Sequence, residues 1–119
     1  MKTGRVSGSP QTELRIRYVP DPGKPGTGAQ EWVLTCPPAG GDHPNHDEAC
    51  AILAVHAAAG IDPFAPTPEG QPCAMVYGGP ATASVEGHWN GRPVHAMFTR
   101  VDGCEVARWD RLVPLLPPT

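Results

Sequence analysis

The chain has 119 residues, 39% of them hydrophobic, with 9 basic and 12 acidic side chains and a formal charge of −3, the profile of one compact domain with a modest core. The Lys and Arg are scattered, which argues against a nucleic-acid partner, and no apolar run is long enough to span a membrane as a helix. Aromatics make up only 6%, while 14 Gly and 16 Pro imply much turn and irregular backbone.

Residues 1–12 are polar and are expected to form a flexible N-terminal segment ahead of a single domain over 13–119. No apolar signal-peptide core follows Met1-Lys2-Thr3-Gly4, so a trimmed form of a secreted protein is expected. Leu14-Arg15-Ile16-Arg17-Tyr18 alternates with period two, which predicts a strand burying Leu14, Ile16 and Tyr18. The Pro- and Gly-rich stretch 20–28 reads as a connection. Trp32 to Cys36 is a second strand, stopped by Pro37-Pro38 and Gly40-Gly41.

The clearest helix starts near Asn45. Asn45 and Glu48 have the spacing of a capping box, and Asp47 and Glu48 suit the positive end of a helix dipole. Ala49 to Ala59 is strongly helix-forming, and Gly60 supplies the stop. Cys50, Leu53, Ala54 and Ala57 share one face, predicted to turn inward. The prolines at 63, 66 and 68 then make a stiff but irregular stretch. Residues 81–86 and 94–101 read as strands around Asn90-Gly91, the strongest short hairpin signal because both turn residues tolerate positive φ. A short helix over Glu105–Asp110 and a last strand over Leu112–Leu116, weakened by Pro114, complete an α+β domain.

Enzymatic and metal chemistry find little support. His43 and His46 are three apart but flank Pro44, and no third ligand is spaced to help. No Gly-framed nucleophile stands out, and nothing brings Glu86 and Asp102 together as an acid pair. Neither a cofactor nor a metal is expected. The four cysteines lack C-x-x-C spacing, and their wide separation fits two structural disulfides in an oxidising compartment, with three pairings possible.

Pro72-Cys73-Ala74-Met75-Val76-Tyr77-Gly78-Gly79-Pro80 has a different character. It sets an apolar residue two positions after a cysteine, between a proline-stiffened entry and a Gly-Gly-Pro exit. Pinned at Cys73, such a segment has already lost the entropy that binding in extended form to a serine protease would otherwise cost. A bond cut within it leaves the new amine near the acyl-enzyme, where religation competes with hydrolysis.

Several further motifs occur in a fixed order: Leu34-Thr35-Cys36, Gly41-Asp42-His43-Pro44, Ala49-Cys50, Cys73-Ala74-Met75-Val76-Tyr77, Gly87-His88-Trp89-Asn90-Gly91 and Cys104. Together they make the chain resemble the Streptomyces subtilisin inhibitor family over roughly Leu14 to Leu116. The resemblance implies a five-stranded antiparallel sheet with one main and one short helix packed on it. It also implies disulfides Cys36–Cys50 and Cys73–Cys104, and a homodimer with one protease bound per subunit.

The reactive site would be the bond Met75–Val76, in a protease-binding loop of Gly70, Gln71, Pro72, Cys73, Ala74, Met75, Val76 and Tyr77. Unbranched, apolar Met75 suits a wide apolar specificity pocket of subtilisin-like or chymotrypsin-like proteases. The chain departs from the family at Asp102, where an Asn usually supports the loop, and at Gly78-Gly79, a one-residue insertion expected to add freedom. The alternative reading is a secreted binding module of the same fold that has lost tight inhibition.

Overall fold

The computed structural model describes residues 11–26 and 28–119; most of the expected flexible N-terminal segment, residues 1–10, lies outside them. Its elements in chain order are β1 (Thr12–Val19), β2 (Gln30–Cys36), α1 (His46–Ala58), β3 (Thr82–Trp89), β4 (Arg92–Phe98) and α2 (Gly103–Arg111). The strands form one antiparallel sheet in the order β2-β1-β3-β4.

Central β1 follows its sequence pattern. Thr12, Leu14 and Ile16 are buried on one face, and Glu13, Arg15 and Arg17 are exposed on the other. Leu14 sits opposite Leu34 of β2, and Ile16 opposite Val85 of β3, so the apolar residues of three strands meet on one side. Tyr18 is half-buried between Trp32, 6.4 Å away by ring centroids, and Trp109 of α2 at 6.1 Å. Opposite β1, Gly87 of β3 has φ +138°, and a Cβ there would overlap the Glu13 carbonyl. That close approach is the reason for a glycine in mid-strand.

The expected hairpin forms. Asn90 (φ 50°) and Gly91 (φ 81°) turn the chain between Trp89 and its partner Arg92. The turn docks on the start of β1, where Asn90 N–H donates to Thr12 Oγ1 at 3.0 Å and Gly91 N–H to the Gln11 carbonyl at 3.0 Å.

Three expectations need correction. The sheet has four strands among the described residues, not five, because Leu112–Leu116 is not a strand. Leu112 N–H donates to the Trp109 carbonyl and Leu116 N–H to the Leu112 carbonyl, so helical turns run on from α2. The physical reason is spacing. Trp109, Leu112, Leu115 and Leu116, all fully buried, recur at intervals of three and four and not two.

Asn45 does sit at the N-cap of α1, but its side chain makes no capping bond. Its own N–H is held by His43 Nδ1 at 3.0 Å, which fixes a backbone angle unsuited to the capping box. The inward face of α1 is Ala49, Leu53 and His56, while Ala54 and Ala57 are exposed and Cys50 is half-buried at the edge.

Two buried histidines join the helical region to the chain end. His43 Nε2–H donates to the Leu115 carbonyl at 2.8 Å, and His56 Nε2–H to the Arg111 carbonyl at 3.1 Å. With both ring nitrogens of His43 engaged, it has no lone pair to share with His46, which pairs instead with Asp47 at 2.9 Å.

The candidate functional site

The segment between α1 and β3 carries no regular structure over 71–79, yet it is tied down along its length. At its start, Phe64 N–H donates to Asp62 Oδ1, and Phe64 packs edge-on against Trp89 with ring centroids 5.6 Å apart. Thr67 Oγ1–H then donates to Glu105 Oε2 at 2.7 Å. Arg108 Nε–H donates to the Ala65 carbonyl at 3.0 Å, with its guanidinium 4.5 Å from the Phe98 ring centroid. The stretch stiffened by prolines is therefore moored to α2 before the loop begins. A turn follows, Gln71 N–H donating to the Pro68 carbonyl.

Cys73 is bonded to Cys104 in the first turn of α2, and Cys36 to Cys50 between β2 and α1. Immediately after Cys73, the Ala74 carbonyl accepts two bonds, from Gly103 N–H and from Val76 N–H, both at 2.9 Å. The second closes a three-residue turn around Met75. Met75 at its tip is 96% exposed, with Val76 at 56% and Tyr77 at 66%.

Two bonds then join the loop exit to the stretch after β4. Gly78 N–H donates to the Arg100 carbonyl at 2.7 Å, and Arg100 Nε–H donates to the Gly78 carbonyl at 3.1 Å. Of the loop residues expected from sequence, Gly70, Gln71, Pro72, Ala74, Met75, Val76 and Tyr77 are exposed and Cys73 is half-buried against its disulfide.

Asp102 stands beside the Cys73–Cys104 bridge at the entry of the loop. Its Oδ1 accepts from Glu105 N–H at 3.0 Å and caps α2, the helix that carries Gly103 and Cys104 in its first turn. Gly78 is not a point of freedom. A Cβ there would lie 2.7 Å from Val106 Cγ2 and 3.1 Å from Arg100 Nε, so a glycine is what lets the exit lie against α2. Gly79 (φ +111°) has open space around it.

Residues 13–101 match the model of the subtilisin inhibitor-like family. The chain belongs to that family. It is 39% identical over 80 residues to subtilisin inhibitor-like protein 1 of Streptomyces cacaoi, covering 64% of this chain and 69% of the relative. It is 37% identical over 81 residues to protease inhibitor SIL-V5 of Streptomyces luteoverticillatus, covering 66% and 73%. Among solved structures, Streptomyces caespitosus sermetstatin, crystallised with Bacillus licheniformis subtilisin, aligns with a TM-score of 0.49 and 23% identity over 81% of this chain and 88% of that one.

In this family member one anchoring residue escapes a reading by motif. Arg100 is only 7% exposed. Its signal is phase, since it continues the buried series Ala96, Phe98, Arg100 at period two, and a charge at an inward position needs a partner. The described His, Cys, Asp and Glu side chains converge in one cluster, Cys73, Asp102 and Cys104, whose sulfurs are spent on the disulfide and offer no thiolate to a metal.

Proposed function

We propose that the chain is a substrate-like inhibitor of secreted serine proteases of the subtilisin type, with Met75 entering the specificity pocket and Met75–Val76 as the bond presented to the catalytic Ser. The observation that carries the reading is the contrast within three residues. Met75 is 96% exposed, while the carbonyl just before it is held by Gly103 and the cysteine before that is bonded to Cys104. A protease binds such a loop without first ordering it. Ala74 is small enough to clear the catalytic His, and Tyr77 lies on the leaving-group side.

Two relatives bear the names subtilisin inhibitor-like protein and protease inhibitor, in keeping with this reading. It extends to a single inhibitory domain over 13–119, export to an oxidising compartment that suits both disulfides, and a homodimer binding one protease per subunit.

The test is a titration of subtilisin activity with this protein and with Met75→Asp, followed by mass analysis of the incubated inhibitor. Stoichiometric inhibition, lost in the variant, with Met75–Val76 intact or slowly cut, supports the reading. Unimpaired subtilisin beside intact protein overturns it. Rapid cleavage at Met75–Val76 would favour the alternative, a module of the same fold whose loop is recognised but does not inhibit.

A further inference from the structure

We propose that Arg100 is a positioning residue that holds the leaving-group side of the Met75–Val76 bond in place after it is cut; the role rests on the inhibitory reading above. The side before the bond is secured covalently through Cys73–Cys104 and by Gly103 N–H on the Ala74 carbonyl. The side after it has no covalent tie before the sheet resumes at β3. What fixes it is Gly78, whose N–H and carbonyl are both taken by Arg100, one by its backbone and one by its side chain.

The guanidinium is itself locked. Its Nη1–H donates to Asp110 Oδ1 at 2.9 Å, and its centre lies 5.5 Å from the Trp109 ring centroid. A planar fork holding a carboxylate and a carbonyl together over an aromatic face is a geometry that arginine supplies and lysine does not. Gly78 completes the fit, because any side chain would strike Arg100 and Val106.

The chemistry makes this position matter. Attack by the protease Ser oxygen on the Met75 carbonyl breaks the Met75–Val76 C–N bond and forms an ester at Met75. The Val76 nitrogen leaves as an amine, carrying the proton that the protease His took from Ser. Religation reverses each transfer: the amine attacks the ester carbon, Ser oxygen leaves, and the proton returns through His. Hydrolysis instead puts water on the ester and leaves a Met75 carboxylate. Which wins depends on how near the amine stays.

With Gly78 fixed, the Val76 nitrogen is two residues from an anchor and reaches about 7 Å. Were both bonds at Gly78 lost, the first buried residue would be Ala81, five residues on, and the reach about 17 Å, the upper limit of what removing the side chain alone can release. The local amine concentration then falls roughly 4-fold for a flexible chain and roughly 16-fold for a freely explored sphere.

The experiment uses the whole chain with subtilisin, comparing wild type, Arg100→Met and Arg100→Lys after checking that each retains both disulfides and a cooperative melt. Cut inhibitor is incubated with catalytic subtilisin, and the ratio of cut to intact protein at equilibrium is read by mass spectrometry. Amide exchange at Gly78 is measured on the free proteins. Arg100→Met removes the guanidinium bond to the Gly78 carbonyl but keeps the backbone bond from Gly78 N–H. The expected result is therefore a shift toward the cut form of more than twofold and up to about tenfold, a smaller one in Arg100→Lys, and faster Gly78 exchange, with β3 and β4 amides unchanged.

An inhibitory wild type whose variants religate within twofold of it overturns the clamp alone. If Arg100→Met does not fold, Arg100→Lys, which keeps charge and stem, decides by the same criterion. A wild type that subtilisin neither binds nor cuts overturns the inhibitory reading, and Gly78 exchange then judges the clamp: faster exchange in the variants supports it and equal exchange overturns it.

Discussion

Replacing Cys73 and Cys104 together by Ser opens a cross-link between residues 31 apart, whereas replacing Cys36 and Cys50 opens one between residues 14 apart. Loop-closure entropy assigns about 3.7 kcal/mol at 25 °C to the first bridge and about 3.0 kcal/mol to the second. In urea both double variants should therefore unfold at lower concentration than wild type, by similar amounts, with the first slightly less stable. Their behaviour toward subtilisin should not be similar. The Cys36–Cys50 bridge joins the end of β2 to α1, away from Met75, so its loss leaves the loop's own ties intact. The Cys73–Cys104 bridge sits two residues before the exposed Met75, and its loss leaves the entry side held by the single bond from Gly103 to Ala74.

The assay is recovery of subtilisin activity with time, in buffer where circular dichroism shows both variants folded. The Cys36→Ser/Cys50→Ser protein should hold the enzyme about as long as wild type. The Cys73→Ser/Cys104→Ser protein should release it at least tenfold sooner, cut at Met75–Val76. Equal release times for the two folded variants would refute the idea that the tether, and not general stability, makes the loop resist turnover.

Met75→Lys should leave stability within about 0.5 kcal/mol, since the side chain is exposed, and should redirect inhibition from subtilisin toward trypsin-type enzymes, read from paired titrations. Asp102→Ala should cost about 1 kcal/mol through loss of the α2 cap while Asp102→Asn costs a few tenths at most, a difference that urea midpoints resolve. Leu53→Ala, which empties a buried position of α1, should cost about 2–5 kcal/mol in the same measurement. Gly87→Ala should be at least as damaging as a core cavity despite adding a single methyl, because the Cβ meets the Glu13 carbonyl and the φ is positive; thermal melts check it.

Where local pattern and tertiary demand agree, the fold was legible. β1 alternates, Asn90-Gly91 turns, and Ala-rich α1 ends before Gly60. The C-terminal segment misled because Pro114 and a short apolar run suggest an edge strand, while the spacing of Leu112, Leu115 and Leu116 against Trp109 is helical. The inward face of α1 was misjudged because His56 looks polar, and only the Arg111 carbonyl in the folded chain explains its burial. Of the site, exposure of Met75 beside a cysteine was readable from sequence. The support around it was not. It rests on Gly103 and Arg100, distant in sequence from the loop, and on Asp110 behind Arg100. Two of the bonds run between peptide groups, which carry no residue-type signature, and the guanidinium finds its partners only in the folded chain.

Ala74 to Tyr77 contribute little to the core, yet the residues on either side are gripped through peptide groups or through sulfur. The grip is thus indifferent to the identity of the side chains at 75–77. Those positions form an interchangeable tip, and a combinatorial library there should preserve expression and melting temperature while exploring new protease targets. The converse applies to the stretch 100–104, where a substitution that never touches an enzyme would alter how every member of such a library behaves.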